Sequence, residues 1–220
     1  IIPIELRAEN LESRIYDKIT DAGLSIDCEL TEGMMVIGSD DDFKLARLQL
    51  NRLKAADKFA VLFNMDHATA HELSADLTFN VNKYGRIKNV LSSSGNHLSS
   101  FRLGDGGLSL NNAGAIELFS RRRRQLPKQF NATEINPYTG EGLAIIVVNS
   151  DAEPFVRKGR NVFHGFTIAC DPWLRPGEAC LICSESGELI GHGVSQCTAN
   201  EVSVMKKGVA VKTRDGIKLE

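Results

Sequence analysis

The stretch PFVRKGRNVF, residues 154–163, decides the fold of the last third of this chain, because it sets basic residues around a glycine between apolar neighbours. A second stretch of this kind, KKGVAVKTR, occupies residues 206–214. Apolar runs in and around both stretches have the length and the β-branched content of strands. Strands are predicted at residues 143–148, 162–169, 179–184, 189–197 and 209–213.

Two short helices complete this part. The first is predicted at residues 150–158, with Ser150 or Asp151 as its cap. The second is predicted at residues 198–207, where Thr198 followed three residues later by Glu201 forms a capping-box pattern. The order β-α-β-β-β-α-β predicts a small β-barrel over residues 143–220.

The preceding part, residues 77–142, has short apolar runs separated by glycine-rich turns. Strands and a helix are predicted around Ile87–Leu91, Leu98–Phe101, Leu108–Leu110 and, for the helix, Asn111–Leu118. Residues 120–141 contain the run Arg121-Arg122-Arg123-Arg124 and two prolines, and we expect a long exposed loop there. This part is therefore predicted to be a small mixed β domain.

The first part, residues 1–76, alternates helices and strands. Helices are predicted at Asn10–Asp21 and from Asp41 to about Phe63, with strands at Leu24–Leu30 and Met34–Ile37. This order is typical of a small α/β domain. The chain is therefore predicted to be of the α+β class, with domains at 1–76, 77–142 and 143–220.

Charge is distributed unevenly along the chain. The formal net charge is −2, but residues 1–82 contain 8 Lys and Arg against 15 Asp and Glu, whereas residues 83–142 contain 9 against 4. The remaining residues contain 9 of each. A basic middle predicts contact with a polyanion that is concentrated on one part of the surface.

Composition favours a cytoplasmic protein. The five cysteines form an odd, scattered set without a disulfide framework, which is typical of a reducing compartment. No apolar run has the length of a membrane span, and the acidic amino terminus does not have the pattern of a signal peptide. The chain begins with Ile1 instead of Met, which indicates a fragment or a processed product.

Three groups of basic residues are candidates for nucleic-acid contact, because guanidinium and ammonium groups suit phosphate oxygens. The first group is the two barrel stretches taken together, whose glycines let the backbone approach a ligand, and the second is the run Arg121–Arg124. The third surrounds Tyr84, whose ring could stack on a base between Lys83 and Arg86. Solvated loops, helix-end cations and strand-edge lysines remain the simpler explanations of these groups.

Cysteine and histidine pairs do not predict a metal site. Cys180 and Cys183 lack a second cysteine pair, and strand positions three apart point to opposite faces, which favours two core residues. His67 and His71 lie one helical turn apart, but Ala68 stands where a zinc peptidase would need glutamate. We therefore expect no metal and no cofactor.

Residues 154–163, 174–178, 187–193 and 206–214 together resemble the PUA domain of archaeal tRNA-modifying enzymes. Residues 85–90, 101–102 and 108–115 are similar to the domain that precedes PUA in archaeal tRNA-guanine transglycosylase, the enzyme that starts archaeosine synthesis. Residues 1–76 correspond loosely to a further domain of that family. The resemblance implies a carboxy-terminal PUA β-barrel.

This resemblance implies RNA binding without catalysis. In the family, a zinc-containing catalytic (β/α)₈ barrel of about 200 residues or more precedes these domains, and no counterpart precedes Ile1. The chain is thus expected to be a non-catalytic tRNA-binding subunit that works with a separate catalytic transglycosylase chain in a hetero-oligomer. The PUA barrel would grip the acceptor stem and 3′ end, so that the D-loop guanine is presented for base exchange.

The resemblance also implies which residues contact the RNA. For the tRNA end they are Arg157, Lys158, Gly159, Arg160, Asn161, Lys206, Lys207, Gly208, Lys212 and Arg214. For the rest of the RNA they are Arg86, Lys88, Arg121, Arg122, Arg123 and Arg124.

Three alternatives stay open. The chain could be part of archaeosine synthase, which acts on the already inserted base, or a general PUA RNA-binding or ribosome-assembly protein. It could also be a small metal-dependent enzyme that uses Cys180, Cys183, His67 and His71. Stoichiometric zinc in the pure protein would favour this last alternative.

Overall fold

The computed structural model describes residues 40–121 and 144–218. The elements predicted within residues 1–39 and most of the predicted loop at 120–141 lie outside the described residues, as does the start of the strand at 143–148. The described part begins with two helices, continues with a four-stranded sheet and a third helix, and ends with a six-stranded barrel sheet.

Helix α1 spans Asp40–Phe63, which confirms the prediction. Its sequence is rich in Leu, Ala, Lys and Arg, which lose little side-chain freedom in a helix. One face packs into the core through Ala55, Ala56, Phe59 and Phe63. The helix ends because Asn64 takes a left-handed conformation with φ of 49°.

A second helix and an antiparallel meander follow. Helix α2 spans His67–Ser74 and is capped by Asp66, whose Oδ1 accepts from Thr69 N at 2.9 Å. The sheet strands, in spatial order, are β1 (Thr78–Val81), β2 (Ile87–Leu91), β3 (His97–Phe101) and β4 (Leu108–Leu110). Three of these strands confirm the prediction, and β1 is an additional strand.

Helix α3 spans Asn112–Ser120, close to the predicted bounds, and packs against β3. Asn111 caps it, since its Oδ1 accepts from Gly114 N at 2.9 Å. A Cβ atom at Gly114 would overlap the carbonyl oxygen of Leu98. Glycine at this position therefore lets the helix and the strand approach backbone to backbone.

The barrel sheet has the strand order β6-β10-β9-β8-β5-β7. Its strands are β5 (Ile145–Val148), β6 (Val162–Phe163), β7 (Thr167–Cys170), β8 (Ala179–Ser184), β9 (Leu189–Ser195) and β10 (Val209–Gly216). β5 and β8 are parallel, and the other neighbouring strands are antiparallel. The predicted α+β class with a carboxy-terminal barrel is confirmed.

The strand predicted at residues 162–169 is divided into two, which corrects the prediction. A 3₁₀ turn at His164–Phe166 separates β6 from β7, which stand at opposite ends of the strand order. One continuous segment thus supplies the first and the last strand of the sheet and brings the barrel close to closure. His164 N donates to Gly208 O at 3.1 Å and fixes this turn against the start of β10.

The two barrel helices are shorter than predicted. Helix α4 spans Glu153–Val156 and helix α5 spans Ala199–Val204. The predicted capping of α4 by Ser150 or Asp151 is wrong, because Asn149 Oδ1 accepts from Ala152 N at 3.2 Å instead. The predicted capping box of α5 is confirmed: Glu201 N donates to Thr198 Oγ1, and Thr198 N donates to Glu201 Oε2.

Both faces of β5 and β8 are buried, which explains their uninterrupted apolar runs. Alternate residues enter two different cores. The barrel interior receives Ile146, Val148, Cys180 and Ile182. A second core, shared with α1, α2, α3 and the four-stranded sheet, receives Ile145, Val147, Leu181 and Cys183. The prediction that Cys180 and Cys183 are core residues on opposite faces is confirmed.

Candidate nucleic-acid interface

Strand pairing brings the two basic stretches of the barrel together. β6 is antiparallel to β10, with Phe163 opposite Val209 and Val162 opposite Val211. The segment that precedes β6 must therefore continue alongside β10 in the direction of Lys212. Residues far apart in sequence become neighbours on one edge of the barrel.

Two hydrogen bonds fix that segment in place. Thr213 donates from its backbone N to Asn161 Oδ1 at 3.2 Å, and from its Oγ1 to Arg160 O at 2.8 Å. Thr213 stands between Lys212 and Arg214, so these two cations and Arg160 occupy the same region. The Asn161 side chain holds the two strands together at this point.

The Lys206–Gly208 turn lies at the other end of the β6 pairing. His164 N donates to Gly208 O at 3.1 Å, and a Cβ at Gly165 would lie 3.5 Å from Lys206 O. Gly208 has φ of 98°, a backbone conformation that residues with a Cβ rarely adopt. Glycine there allows the chain to turn sharply from α5 into β10.

Six of the predicted cations have exposed side chains and form no ion pair with another residue of the described ranges. We call them the barrel basic face: Lys158, Arg160, Lys206, Lys207, Lys212 and Arg214. Cations without local carboxylate partners have their charge available to a ligand, and phosphate oxygens are the acceptors that suit them.

Arg157 differs from these six cations. Its side chain is 13% exposed, and its Nη2 lies 2.7 Å from Glu153 Oε1 and 2.5 Å from Glu188 Oε2. Its Nη1 donates to Ile217 O at 3.1 Å. The guanidinium thus joins α4 to the turn before β9 and to the end of the chain, which is a structural use of a residue predicted to contact RNA.

His164 is buried directly beneath the Gly208 turn. Its Nδ1 is buried without a hydrogen-bond partner in the described part of the chain. Burial lowers the pKa of His164 from its ordinary value, while the nearby Glu201 carboxylate opposes that change. The imidazole is accordingly held neutral beneath a positively charged surface.

Phe163 is a feature of this face that the basic motifs did not predict. Its side chain is 47% exposed, and it stands opposite Val209, next to the Lys206–Gly208 turn. An exposed ring beside cations can stack on an unpaired base. Phe163 could have been recognised from its position in β6, because the alternation of side chains along a strand places Val162 inside the barrel and Phe163 outside.

The middle part contributes cations from two places. Arg86 and Lys88 are exposed at the β1–β2 turn and on β2, beside Tyr84, which is 56% exposed. Arg121 follows α3, and its guanidinium lies 3.1 Å from Glu117 Oε1. Arg122, Arg123 and Arg124 lie outside the described residues.

No metal-binding group occurs in the described ranges. No cluster of three or more His, Cys, Asp and Glu side chains there could hold a metal ion. The rings of His67 and His71 lie side by side with centroids 6.5 Å apart on α2. Cys180 and Cys183 are fully buried in different cores, and burial raises the pKa of the Cys180 thiol. Cys180, Cys183, His67 and His71 therefore do not converge.

Among residues 40–121 and 144–218, no helix has both the length and the apolarity needed to cross a membrane.

The barrel is a PUA domain. The PUA domain family matches residues 144–217, which include all six barrel strands and the whole barrel basic face. A particular group of PUA proteins is also similar over a longer range. The chain is 36% identical over 135 residues to tRNA-guanine(15) transglycosylase of Methanocaldococcus jannaschii, which covers 61% of this chain and 18% of that enzyme.

A second relative extends the similarity upstream of the barrel. The chain is 31% identical over 185 residues to tRNA-guanine(15) transglycosylase of Pyrococcus furiosus, covering 81% of this chain and 27% of the enzyme. The chain therefore spans about a fifth to a quarter of the length of these relatives. Its similarity to them supports the resemblance described above.

The fold is also shared with a solved structure. A hypothetical protein of Pyrococcus horikoshii matches with a TM-score of 0.53 at 14% identity, over 76% of this chain and 90% of that protein. The match therefore includes more than the barrel. It indicates a shared fold and carries no information on function.

Proposed function

We propose that this chain is the tRNA-binding, non-catalytic part of a tRNA-guanine transglycosylase. It would hold tRNA so that a separate, zinc-containing catalytic chain reaches the guanine of the D-loop. The observation that carries this proposal is the similarity to archaeal tRNA-guanine(15) transglycosylases over a range that includes the PUA domain and residues before it. The chain spans about a fifth to a quarter of the length of those enzymes.

The barrel basic face is the proposed contact for the acceptor stem and the 3′ end. Its six cations come from three places in the sequence and lie along the β6–β10 edge. Gly159 and Gly208 leave space for a close backbone approach, because a Cβ at Gly159 would meet nothing within 4 Å. Arg157 and Asn161 serve this face by holding its strands and helix in position.

Holding an opened tRNA requires contacts that offset the lost base pairs. Unpairing and unstacking a target nucleotide costs a few kcal/mol, and protein contacts to the exposed strand must supply it. Arg86, Lys88 and the arginine run Arg121–Arg124 are the proposed contacts for this remaining RNA. All of these residues precede the barrel in the sequence.

The proposal is tested by guanine exchange. Labelled guanine, tRNA and a catalytic transglycosylase chain are combined with and without this protein. We expect incorporation to rise on its addition, because more of the tRNA is held in the reactive form. Substituting Lys206 and Lys207 by Ala should remove most of that rise.

Two controls accompany the exchange assay. Lys218→Ala changes an exposed lysine two residues beyond the end of β10, at the opposite end of that strand from the Lys206–Gly208 turn, and should leave the rise intact. The protein alone with tRNA and guanine reports any activity of its own. Incorporation that is unchanged by the protein, or that needs no second chain, overturns the proposal.

A further inference from the structure

Three half-buried cations join distant parts of the chain to one another. Lys58 lies on α1, Arg102 follows β3, and Arg175 lies in the loop between β7 and β8. Each of them donates a hydrogen bond to a main-chain carbonyl of a different element. We call these three residues the junction cations.

Arg175 connects the barrel to the end of α1. Its Nη2 donates to Val61 O at 3.1 Å. That oxygen is one of the last four carbonyls of the helix, which have no donor within the helix, and α1 has no basic residue in its own last turn. The barrel thus supplies the cation that the helix dipole favours there. The Trp173 ring, whose centre lies 4.5 Å from Arg175 Cζ, holds the guanidinium in place.

Arg102 connects the meander to the same barrel loop. Its Nη2 donates to Gly177 O at 2.7 Å and lies 4.0 Å from Glu178 Oε2. On the meander side, its Nε lies 3.1 Å from Asp105 Oδ1. A Cβ atom at Gly107 would overlap the guanidinium, so glycine at that position makes room for it. The guanidinium is therefore held by both of the parts that it joins.

Lys58 completes the set by connecting α1 to the meander. Its Nζ donates to Gly106 O in the turn between β3 and β4, and it lies 5.1 Å from the centre of the Phe101 ring. The helix, the meander and the barrel loop are therefore each bonded to both of the others. Since all three acceptors are main-chain carbonyls, these bonds constrain the backbones directly.

The three bonds add direction to a contact that is otherwise apolar. The shared apolar core is stabilised by the area removed from water, which depends little on the angle between its parts. Hydrogen bonds depend on both distance and angle. The barrel loop is held at two separate points, one on α1 and one on the meander, so a rotation about either bond would break the other.

We propose that the junction cations are positioning residues, which fix the angle between the barrel basic face and the cations that precede the barrel. This inference rests on the proposed function, in which one tRNA contacts both groups. When two contacts are held at a matching distance, the second one forms intramolecularly and raises the overall affinity. A barrel that could turn would match the tRNA only part of the time, and the apparent affinity would fall by that fraction.

The test first measures the angle through a distance between two spin labels on the whole chain. Ser93→Cys labels the exposed turn between β2 and β3, and Glu185→Cys labels the exposed turn between β8 and β9. Cys28→Ser removes a competing thiol, and the cysteines of the described ranges are buried. We expect a single narrow distribution of distances in the protein that keeps all three junction cations.

Replacing Arg102 and Arg175 together by Ala should broaden that distribution. Each single variant should broaden it less, which keeps the measurement possible if the double variant does not fold. Replacing both residues by Lys keeps a cationic donor at each position and should restore a narrower distribution. Lys54→Ala, which removes an exposed lysine one helical turn before Lys58, is the control and should leave the distribution unchanged.

RNA binding then separates a positioning role from a purely structural one. The Ala double variant should bind whole tRNA about tenfold more weakly, as expected if about one molecule in ten has the matching orientation. A hairpin that reproduces only the acceptor stem should bind it with wild-type affinity, because such a hairpin contacts the barrel basic face alone.

The outcomes distinguish this inference from the proposed function. An unchanged distance distribution in the double variant overturns the inference, and so does a broadened one with unchanged tRNA affinity. Equal losses for tRNA and hairpin would indicate damage to the barrel itself and also overturn it. If the distribution broadens but tRNA binds neither variant nor wild type, the junction cations still fix the angle and the proposed function fails.

Discussion

His192 Nε2 lies 3.0 Å from Asn112 Oδ1, and this bond joins the outward face of β9 to the first residue of α3. Asn112 Nδ2 donates to Asp215 Oδ2 at 2.9 Å, so its Oδ1 is the acceptor and His192 Nε2 carries the proton. His192 is buried, and burial lowers its pKa, with Asp215 opposing this effect and Arg214 reinforcing it. The imidazole is thus a neutral link between the PUA barrel and the preceding helix.

Stability should fall as the pH drops below about 6.5. In the unfolded chain His164 and His192 take up protons near their ordinary pKa of 6.5, whereas burial lowers both pKa values in the folded state. Below that pH the unfolded state holds more protons, so acid favours unfolding, and above it the slope vanishes. Each histidine contributes at most about 1.4 kcal/mol per pH unit.

Urea unfolding at pH values from 5.5 to 7.5 measures this dependence. His192→Gln should reduce the slope of unfolding free energy against pH, and the double variant with His164→Gln should reduce it further. His71→Gln, on the exposed side of α2, is the control. A double variant that keeps the wild-type slope would show that other groups govern the pH dependence.

Salt should weaken tRNA binding through the barrel basic face. Replacing Lys206, Lys207, Lys212 and Arg214 together by Ala should lower the slope of log affinity against log salt by about three to four, because each phosphate contact releases about one counterion. Filter binding between about 50 and 200 mM salt measures the slope. The same slope for variant and wild type would place the phosphate contacts elsewhere.

Arg157 should matter more for stability than for RNA. Arg157→Ala removes a largely buried guanidinium that has three partners, Glu153, Glu188 and Ile217 O. We expect a loss of about 1–3 kcal/mol in the free energy of unfolding, since the carboxylates lose their partner. The adjacent Lys158→Ala, which removes an exposed side chain, should stay within about 0.5 kcal/mol. Equal unfolding midpoints in urea for the two variants would contradict this assignment.

Gly114→Ala should separate α3 from β3. The added methyl group would overlap Leu98 O, and neither backbone can shift without losing its own hydrogen bonds. Overpacking of this kind costs about 1–3 kcal/mol, which thermal unfolding would register as a lower Tm. Gly104→Ala is the matched control, because a Cβ there meets nothing within 4 Å. The prediction fails if both variants melt together.

Local signals in the sequence were sufficient for much of the fold. The bounds of α1 follow from its helical periodicity and those of β8 from a short apolar run, and the capping box of Thr198 and Glu201 was visible as a pattern. The placement of Cys180 and Cys183 on opposite faces followed from strand geometry alone. These features depend on residues close together in the chain.

Features that depend on long-range contacts were not predictable in the same way. The division of β6 from β7 follows from barrel closure, which the apolar run at residues 162–169 does not encode. The family resemblance assigned Arg157 to RNA, and its pairing with Glu188, which is remote in sequence, is visible only in the fold. Arg47 reaches Gly85 only through the packing of α1 on the sheet, so neither residue alone indicated this contact.

The burial of both faces of β5 and β8 has a consequence for how the barrel can be used. Its outward side chains, Ile145, Val147, Leu181 and Cys183, belong to the same apolar interior as α1 and the meander. A fragment that contained only the PUA domain would expose these side chains to water as an apolar surface prone to aggregation. We therefore expect the isolated barrel to aggregate, and to stay in solution only when the preceding helices and the four-stranded sheet cover this surface.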